Sequence, residues 1–434
     1  MHLIPPLRWG ALLLVAHSLA LAGDFDLDLE QLNELSPRPG SVVNADNLAV
    51  YAAYLDRDFA RFVAGDFATL AIGEPLSFQP HAAYVGATAK FRGQAQLTDN
   101  PGVLDGFVQG RPFAGPLDSK DPEAGVKAAW NMRYAYTGDS GKLPEIYWQM
   151  RDWGREKLQA EMLFEGRSMR FMARHVMPPL PEFKQNPQGA FAAFFMRAVE
   201  AGSYDGTEVL AFANRDESKP LNGWVYIPQL ARTQTLASFS NEDSMFGSDI
   251  LPTDFLIYSG PLPAMRWRYV GTTYMLLPLY RHDQIEPAAR KARKYDYWHV
   301  DFNGHAGCFP QVLWQLRPTL ILEGIALEAA AAVQRRVFYL DAQTYVPALW
   351  KIYRADSQLW KFVINAYAHP NSHLPENQET GAPILTASST IDVVSNRCTT
   401  LQLLTVVNVP DVTPTDFDAG KLQHSGSGSS SRRR

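Results

Sequence analysis

Apolar positions recur along this chain at two spacings, and each spacing predicts its own kind of element. From residue 145 onward the two-residue repeat of a strand with one dry side dominates. In MRWRYV (265–270), Met265, Trp267 and Tyr269 share one side while Arg266 and Arg268 share the other. Successive side chains of a strand point to opposite faces, so this alternation predicts a half-buried strand. EIYWQMRDW, EMLFEGRSMRFMARHV and GWVYIPQL have the same texture. RRVFYLDAQTYVPALWKIYRADSQLWKFVINAY predicts three consecutive strands joined by the short turns DAQT and RADS, an antiparallel meander. Pro228 and Pro347 lie inside strand-like runs and mark edges or bulges, because proline has no N–H for the ladder.

Helical spacing is rarer. Leu48, Tyr51, Leu55, Phe59 and Phe62 form a stripe with Asp56, Arg57, Asp58 and Arg61 between them, an amphipathic lead-in within 23–75. The Gly-, Pro- and Asp-rich stretch from about 80 to 130 predicts long ordered loop, and GVKAAWNMRYAY a helix running into a strand-like end. Two further helices are predicted. NPQGAFAAFFMRAVEAG places Phe191, Phe194, Phe195 and Val199 on one stripe between a Pro and a Gly; LEGIALEAAAAVQRR is Ala-rich, with Leu322, Ile325 and Leu327 to pack. The pattern implies a mainly β fold: a large curved antiparallel sheet with a few covering helices and long loops. A sheet needs a layer on its apolar face, and these two helices are the expected cover. One domain is expected over residues 23–418, with a disordered Ser/Gly/Arg tail over 419–434.

Composition sharpens the picture in one respect. Ten Trp, eighteen Tyr and twenty-three Phe suit a β-rich fold and equally a lipid or sugar cavity. The formal net charge of −5 carries no basic stripe, so nucleic acid is not an expected partner. MHLIPPLRWGALLLVAHSLALA has Arg8, an apolar middle and an Ala20-Leu21-Ala22 end, which predicts a signal peptide over 1–22 and a soluble periplasmic protein. Cys308 and Cys398 are the only cysteines; an oxidising compartment permits a disulfide between them, and two buried thiols are the alternative.

Candidate chemistry is sparse. GDSGK (138–142) resembles a serine-protease nucleophile loop around Ser140, but Lys142 stands where a second Gly belongs and no partner histidine motif precedes it. WHVDFNGHAGC (298–308) offers His299, Asp301, His305 and Cys308 as zinc-type ligands at a spacing that matches no common site. HPNSH (369–373) offers less, the acidic run NEDSMFGSD lacks the alternate-position spacing of a calcium loop, and RKARK (290–294) reads as a solvated face. No phosphate-binding loop, dinucleotide fingerprint or hydrolase elbow is present, so no cofactor and no enzyme activity are expected.

Three segments together resemble the proteobacterial domain-of-unknown-function family 1329: GFVQGRPFAGPLDSKDPEAGVKAAWNMRY (106–134), the stretch from LASFSNEDSMFGSDILPTDF (236–255) to MRWRYVGTTYMLLPLYR, and RRVFYLDAQTYVPALWKIYRADSQLWKF. That family is distantly similar to the periplasmic outer-membrane lipoprotein-sorting carriers (LolA/LolB-like). The resemblance implies an open half-barrel over an apolar acyl-chain cavity, with an inner-membrane exporter of the resistance-nodulation-division type and an outer-membrane protein as partners. The expected ligand is hydrophobic or acyl-chain-bearing, and the expected wall comprises Trp267, Tyr269, Trp350 and Trp360. The same residues read as ordinary core packing. DSMFGSDILPTDF is expected to loop over the cavity mouth, with Met245, Phe246, Ile250 and Leu251 reaching inward and its carboxylates in water. A metal-dependent hydrolase and an envelope scaffold without ligand are the alternatives.

Overall fold

The computed structural model describes residues 24–186, 188–219, 221–236, 244–280 and 300–422. The signal-like start, RKARK, His299, Asp243 and the terminal arginines lie outside the described residues. Among the described residues five α-helices fall in the first third: α1 (Leu29–Leu35), α2 (Leu48–Tyr51), α3 (Arg57–Ala64), α4 (Ala82–Lys90) and α5 (Ala124–Arg133). The expected lead-in stripe is thus broken in two. Asp56 ends the first piece and caps α3, its carboxylate accepting from the backbone N–H of Asp58 and Phe59. The helix α4 stands where loop was expected, capped by the His81 ring on the N–H of Ala83.

Short strands β1 (Val42–Val43), β2 (Leu70–Ile72), β3 (Gln96–Leu97) and β4 (Leu104–Asp105) accompany the helices. The first long meander is β5 (Ser140–Asp152), β6 (Lys157–Arg170), β7 (Ala190–Glu200), β8 (Glu208–Asn214), β9 (Asn222–Ile227) and β10 (Arg232–Thr235). There follow β11 (Met265–Leu277), β12 (Leu279–Tyr280), β13 (Phe302–Asn303) and β14 (Phe309–Pro310). The second meander is β15 (Leu313–Ala326), β16 (Arg335–Asp341), β17 (Pro347–Tyr353), β18 (Leu359–Ala368), β19 (Ile384–Asp392) and β20 (Arg397–Val407). Pairing of β20 with β5 fuses the meanders, so the sheet runs β11-β15-β16-β17-β18-β19-β20-β5-β6-β7-β8-β9-β10 through antiparallel pairs and does not close on itself. The expected mainly β architecture with a large antiparallel sheet is present. Pro347 sits at the register shift between Tyr339 and Leu340, the expected bulge.

Two expected helices are strands. Residues 190–200 form β7, whose Phe195 and Ala193 pack with Phe171 and Phe212 on one face, while Met196 and Ala198 pack with Trp148 and Phe164 on the other. A strand buried on both faces is a continuous apolar run, and periodicity alone cannot separate it from a helix. LEGIA simply continues β15 to Ala326, and 327–334 is a turn in which the Gln334 side chain donates to the carbonyls of Glu328, Ala329 and Ala331. Helix propensity over so few alanines is weaker than a ladder already running.

The sheet is covered on both faces, by other elements than expected. Across the ladder Trp267, Gly324, Arg336 and Ile352 share a face, as do Tyr269, Leu322, Phe338, Trp350 and Val363 beside them. Residues 244–264, which contribute no strand, lie on that face. The opposite face carries Tyr339, Lys351, Phe362 and Cys398 and is covered by α3 and residues 300–310. Lys351 Nζ donates to Asp56 at 2.7 Å and to Asp58 at 3.0 Å, pinning the start of α3 into the sheet. The Cys308–Cys398 disulfide ties the other cover to β20, with Cα atoms 6.1 Å apart. At the C-terminal end the short turn over 419–421 buries Leu422 against Val412 and Phe417, so packed structure continues past residue 418.

Candidate functional site: an aromatic face under residues 244–262

The covering segment is built from tight turns, because it must drop apolar side chains onto the sheet without joining a ladder. Met245–Gly247 is a single 3-10 turn with Phe246 at φ 52°, closed by Met245 N–H to the Ile250 carbonyl at 2.9 Å. A second 3-10 turn, Pro252–Asp254, follows, with Leu256 at φ 60°. Such conformations cost non-glycine residues about 1 kcal/mol or more each, and persist when surrounding contacts fix them.

The contacts that fix them come in two kinds. Apolar ones run over the first meander: Phe255 stacks on Trp148 at 5.7 Å, and Phe246 lies 4.9 Å from Phe164 and 5.2 Å from Tyr204. Ile250 is fully buried there among Met162, Met196, Leu401 and Leu403. Leu251 belongs instead to the main core, near Tyr258, Leu262 and Trp267. Trp267 donates its indole N–H to the Leu262 carbonyl at 2.8 Å, and Phe338 bridges Trp267, Tyr258 and Trp350 with ring centroids 5.9, 5.2 and 6.3 Å away.

The second kind is ionic, and here an expectation is corrected. Asp249 and Asp254 were expected in water; they are 1% and 3% exposed. Arg336 grips both oxygens of Asp254 along one edge of its guanidinium, Nε at 3.0 Å and Nη2 at 2.6 Å, and the Trp350 indole donates to the same carboxylate at 3.0 Å. Asp249 accepts from Arg397 Nε at 3.0 Å and Nη2 at 2.8 Å, and from the Thr399 hydroxyl at 2.8 Å. The cause is the alternation of β16: Arg336 faces inward beside Phe338, and a guanidinium on a dry face requires an anion. Burial alone would lower the Arg336 pKa; the Asp254 carboxylate outweighs it and raises it.

The expected wall residues therefore divide. Met245, Phe246 and Ile250 gather on Trp148 and Phe164; Trp267 and Trp350 flank Phe338, in the same core as Leu251; the half-buried Tyr269 donates to or accepts from Thr272 at 2.7 Å. Trp360 stands apart, its indole on Asp392 at 2.9 Å and its ring flanked by Arg354 and Lys361. Sequence reasoning missed Arg336, Arg397, Trp148, Phe164 and Asn365. The last donates its amide to the Leu256 carbonyl, so it too holds the cover. An Arg on the apolar side of RRVFYLD was the available signal.

The other candidates are structural. Cys308 is disulfide-bonded, and the His305 ring meets the Trp153 carbonyl at 2.8 Å. Among the described residues no group of three or more His, Cys, Asp or Glu could hold a metal. Ser140 donates to the Val409 carbonyl, while Asp139 accepts from the backbone N–H groups of His175, Val176 and Met177 at 2.8, 2.6 and 2.9 Å. Burial alone would raise the Asp139 carboxyl, but the neighbouring His175 ring and these backbone donors hold it at about 2. GDSGK is thus the anchored start of β5.

A family model described as a protein of unknown function, DUF1329, matches residues 42–423, nearly the whole described chain. The chain belongs to the DUF1329 family. Solved structures resemble it in part. A DUF1329 family protein from Desulfovibrio piger is 14% identical with a TM-score of 0.48, the alignment covering 70% of this chain and 100% of that one. A domain assigned to outer membrane lipoprotein sorting, from Vibrio parahaemolyticus, matches at 14% identity and TM-score 0.47, covering 70% and 100%. A LolA superfamily protein from Nitrosomonas europaea matches at 10% identity and TM-score 0.38, covering 67% and 94%. No curated protein matches the chain.

Proposed function

We propose that this DUF1329 protein is a periplasmic carrier of hydrophobic or acyl-chain-bearing molecules, held on the aromatic face that residues 244–262 now cover. One observation carries the reading. The layer on that face is a strandless segment whose apolar side chains rest on Trp148, Phe164 and Phe338, fastened by side-chain latches rather than by a ladder. A cover fastened that way can lift without breaking the sheet, and what it leaves is a broad aromatic and aliphatic surface suited to a flexible apolar ligand. Met162 and Met196 on that surface adapt to ligands of varied shape.

The Cys308–Cys398 disulfide supports an oxidising compartment, and no helix among the described residues is long and apolar enough to cross a membrane. A carrier must receive and deliver its cargo, so an exporter in the inner membrane and an acceptor in the outer membrane are the partners this reading calls for. Quenching of tryptophan fluorescence by a neutral brominated acyl ester tests it. Saturable quenching that shrinks in Trp148→Phe is expected, since Trp148 lies under Phe255 and Phe246. A titration without saturation contradicts the reading, and a scaffold subunit would then be the better account.

A further inference from the structure

We infer that Arg336 and Trp350 form the head-group site on this aromatic face, and that its ligands are amphiphiles carrying a carboxylate head, whose place the Asp254 carboxylate takes while the cover is down. The inference rests on the carrier reading above and adds the ligand's charge and orientation to it.

Three donors converge on one carboxylate: Nε and Nη2 along one edge of the Arg336 guanidinium, and the Trp350 indole N–H. That arrangement matches a planar carboxylate held side-on. The Arg336 side chain is 6% exposed, with Tyr258 stacked 5.0 Å from its guanidinium and Phe338 alongside Trp350. If the cover lifted for a neutral ligand, this cation would lose its anion while still lined by aromatic rings. A ligand bringing its own carboxylate replaces Asp254 like for like, and the exchange leaves no buried charge unpaired.

The remainder of the cover shows where the tail would run. Directly after Asp254, Phe255 lies on Trp148 and Asn365 holds the Leu256 carbonyl, while the earlier turn places Phe246 on Phe164. Trp350 and Trp148 are separated by four inter-strand steps, β17 to β18, β19, β20 and β5. At about 4.8 Å per step that is roughly 19 Å along the sheet, a long acyl chain's reach. A second, independent feature lies on the same path. The Trp148 indole nitrogen and the Asn365 side-chain oxygen are fully buried beneath the cover without a hydrogen-bond partner. A ligand lying along that path would supply both with a partner. Asp254 followed by Phe255 thus reproduces, within the chain, a charged head followed by an apolar tail.

Calorimetric titration of the full chain with oleate and with oleyl alcohol separates the possibilities. Wild type should bind oleate more tightly than the alcohol. Asp254→Asn removes the internal competitor and should raise oleate affinity by about tenfold or more, with a smaller gain for the alcohol. The double variant D254N/R336Q, which restores a neutral pair and so guards against misfolding, should bind both ligands equally. Equal gains for oleate and alcohol in D254N, or a surviving preference for oleate in the double variant, would overturn the head-group assignment and leave the carrier reading in place. No binding of either ligand to any of the three proteins would overturn both.

Discussion

Removing the carboxylate of Asp254 is the sharpest perturbation of the covering segment. In Asp254→Ala, Arg336 Nε and Trp350 Nε1 lose their acceptor, Arg336 Nη2 keeps only the Thr253 hydroxyl at 3.0 Å, and the guanidinium stays beneath Tyr258 without an anion. Breaking a buried pair by deleting one partner costs about 3–5 kcal/mol, because an uncompensated charge remains. That is a large share of the roughly 5–15 kcal/mol that holds an ordinary domain folded. Replacing both partners by apolar residues of similar volume, D254L/R336M, removes the charge with its counter-ion and should be neutral or stabilising by about 1–4 kcal/mol. Urea unfolding followed by tryptophan fluorescence measures both, with the midpoint as the readout. A loss below about 1 kcal/mol in D254A would refute the reasoning, since solvated ion pairs are worth that little.

Further outcomes follow from other fixed points. Lys351→Met leaves the buried Asp56 without its cation and Asp58 with only the exposed Arg61, and hydrogen exchange should show Arg57–Ala64 losing protection while the meander strands keep theirs; uniform loss would mean α3 is no separate cover. Reducing the Cys308–Cys398 bond, which spans 90 residues, should cost about 2–5 kcal/mol, and an unchanged melting temperature in reductant would contradict that. Burial pushes the His373 ring down to about 4, and lowers His369 also. At His373 the unfolded chain takes up its proton near pH 6.5 and the folded chain only near 4, so stability is lost as pH falls through that window, and His369 acts in the same direction. For His373 alone the loss at pH 5 is about 2 kcal/mol. Asp139, held at about 2, contributes stability above pH 4 that fades only below it. A flat urea midpoint between pH 7 and pH 5 would contradict the histidine assignment.

The strands were legible because the second meander is laid down in sequence order: RRVFYLD, YVPALWKIY and LWKFVINAYA each pair with the next. Residues 190–200 were not, since Phe195 is buried on one face and Phe194 half-buried on the other, and a strand covered on both faces has no polar side to show its period. The pairing of β20 with β5 joins residues about 250 positions apart, a long-range contact that no local pattern encodes. For the site, Met245, Phe246 and Ile250 could be picked out as greasy residues on a turn-rich segment. The partners of Asp249 and Asp254 could not, because Arg397 and Arg336 come from strands far along the chain. The acids were therefore placed in water by default. The inward Arg of β16 was the available clue that an acid had to be buried.

Native mass spectrometry of protein purified from periplasm, with solvent extraction of anything bound, tests the carrier account most directly. The account expects a co-purifying acyl-chain species, and a shift in mass when the stripped protein is incubated with long-chain amphiphiles. A clean apo mass that stays unchanged after that incubation would contradict it.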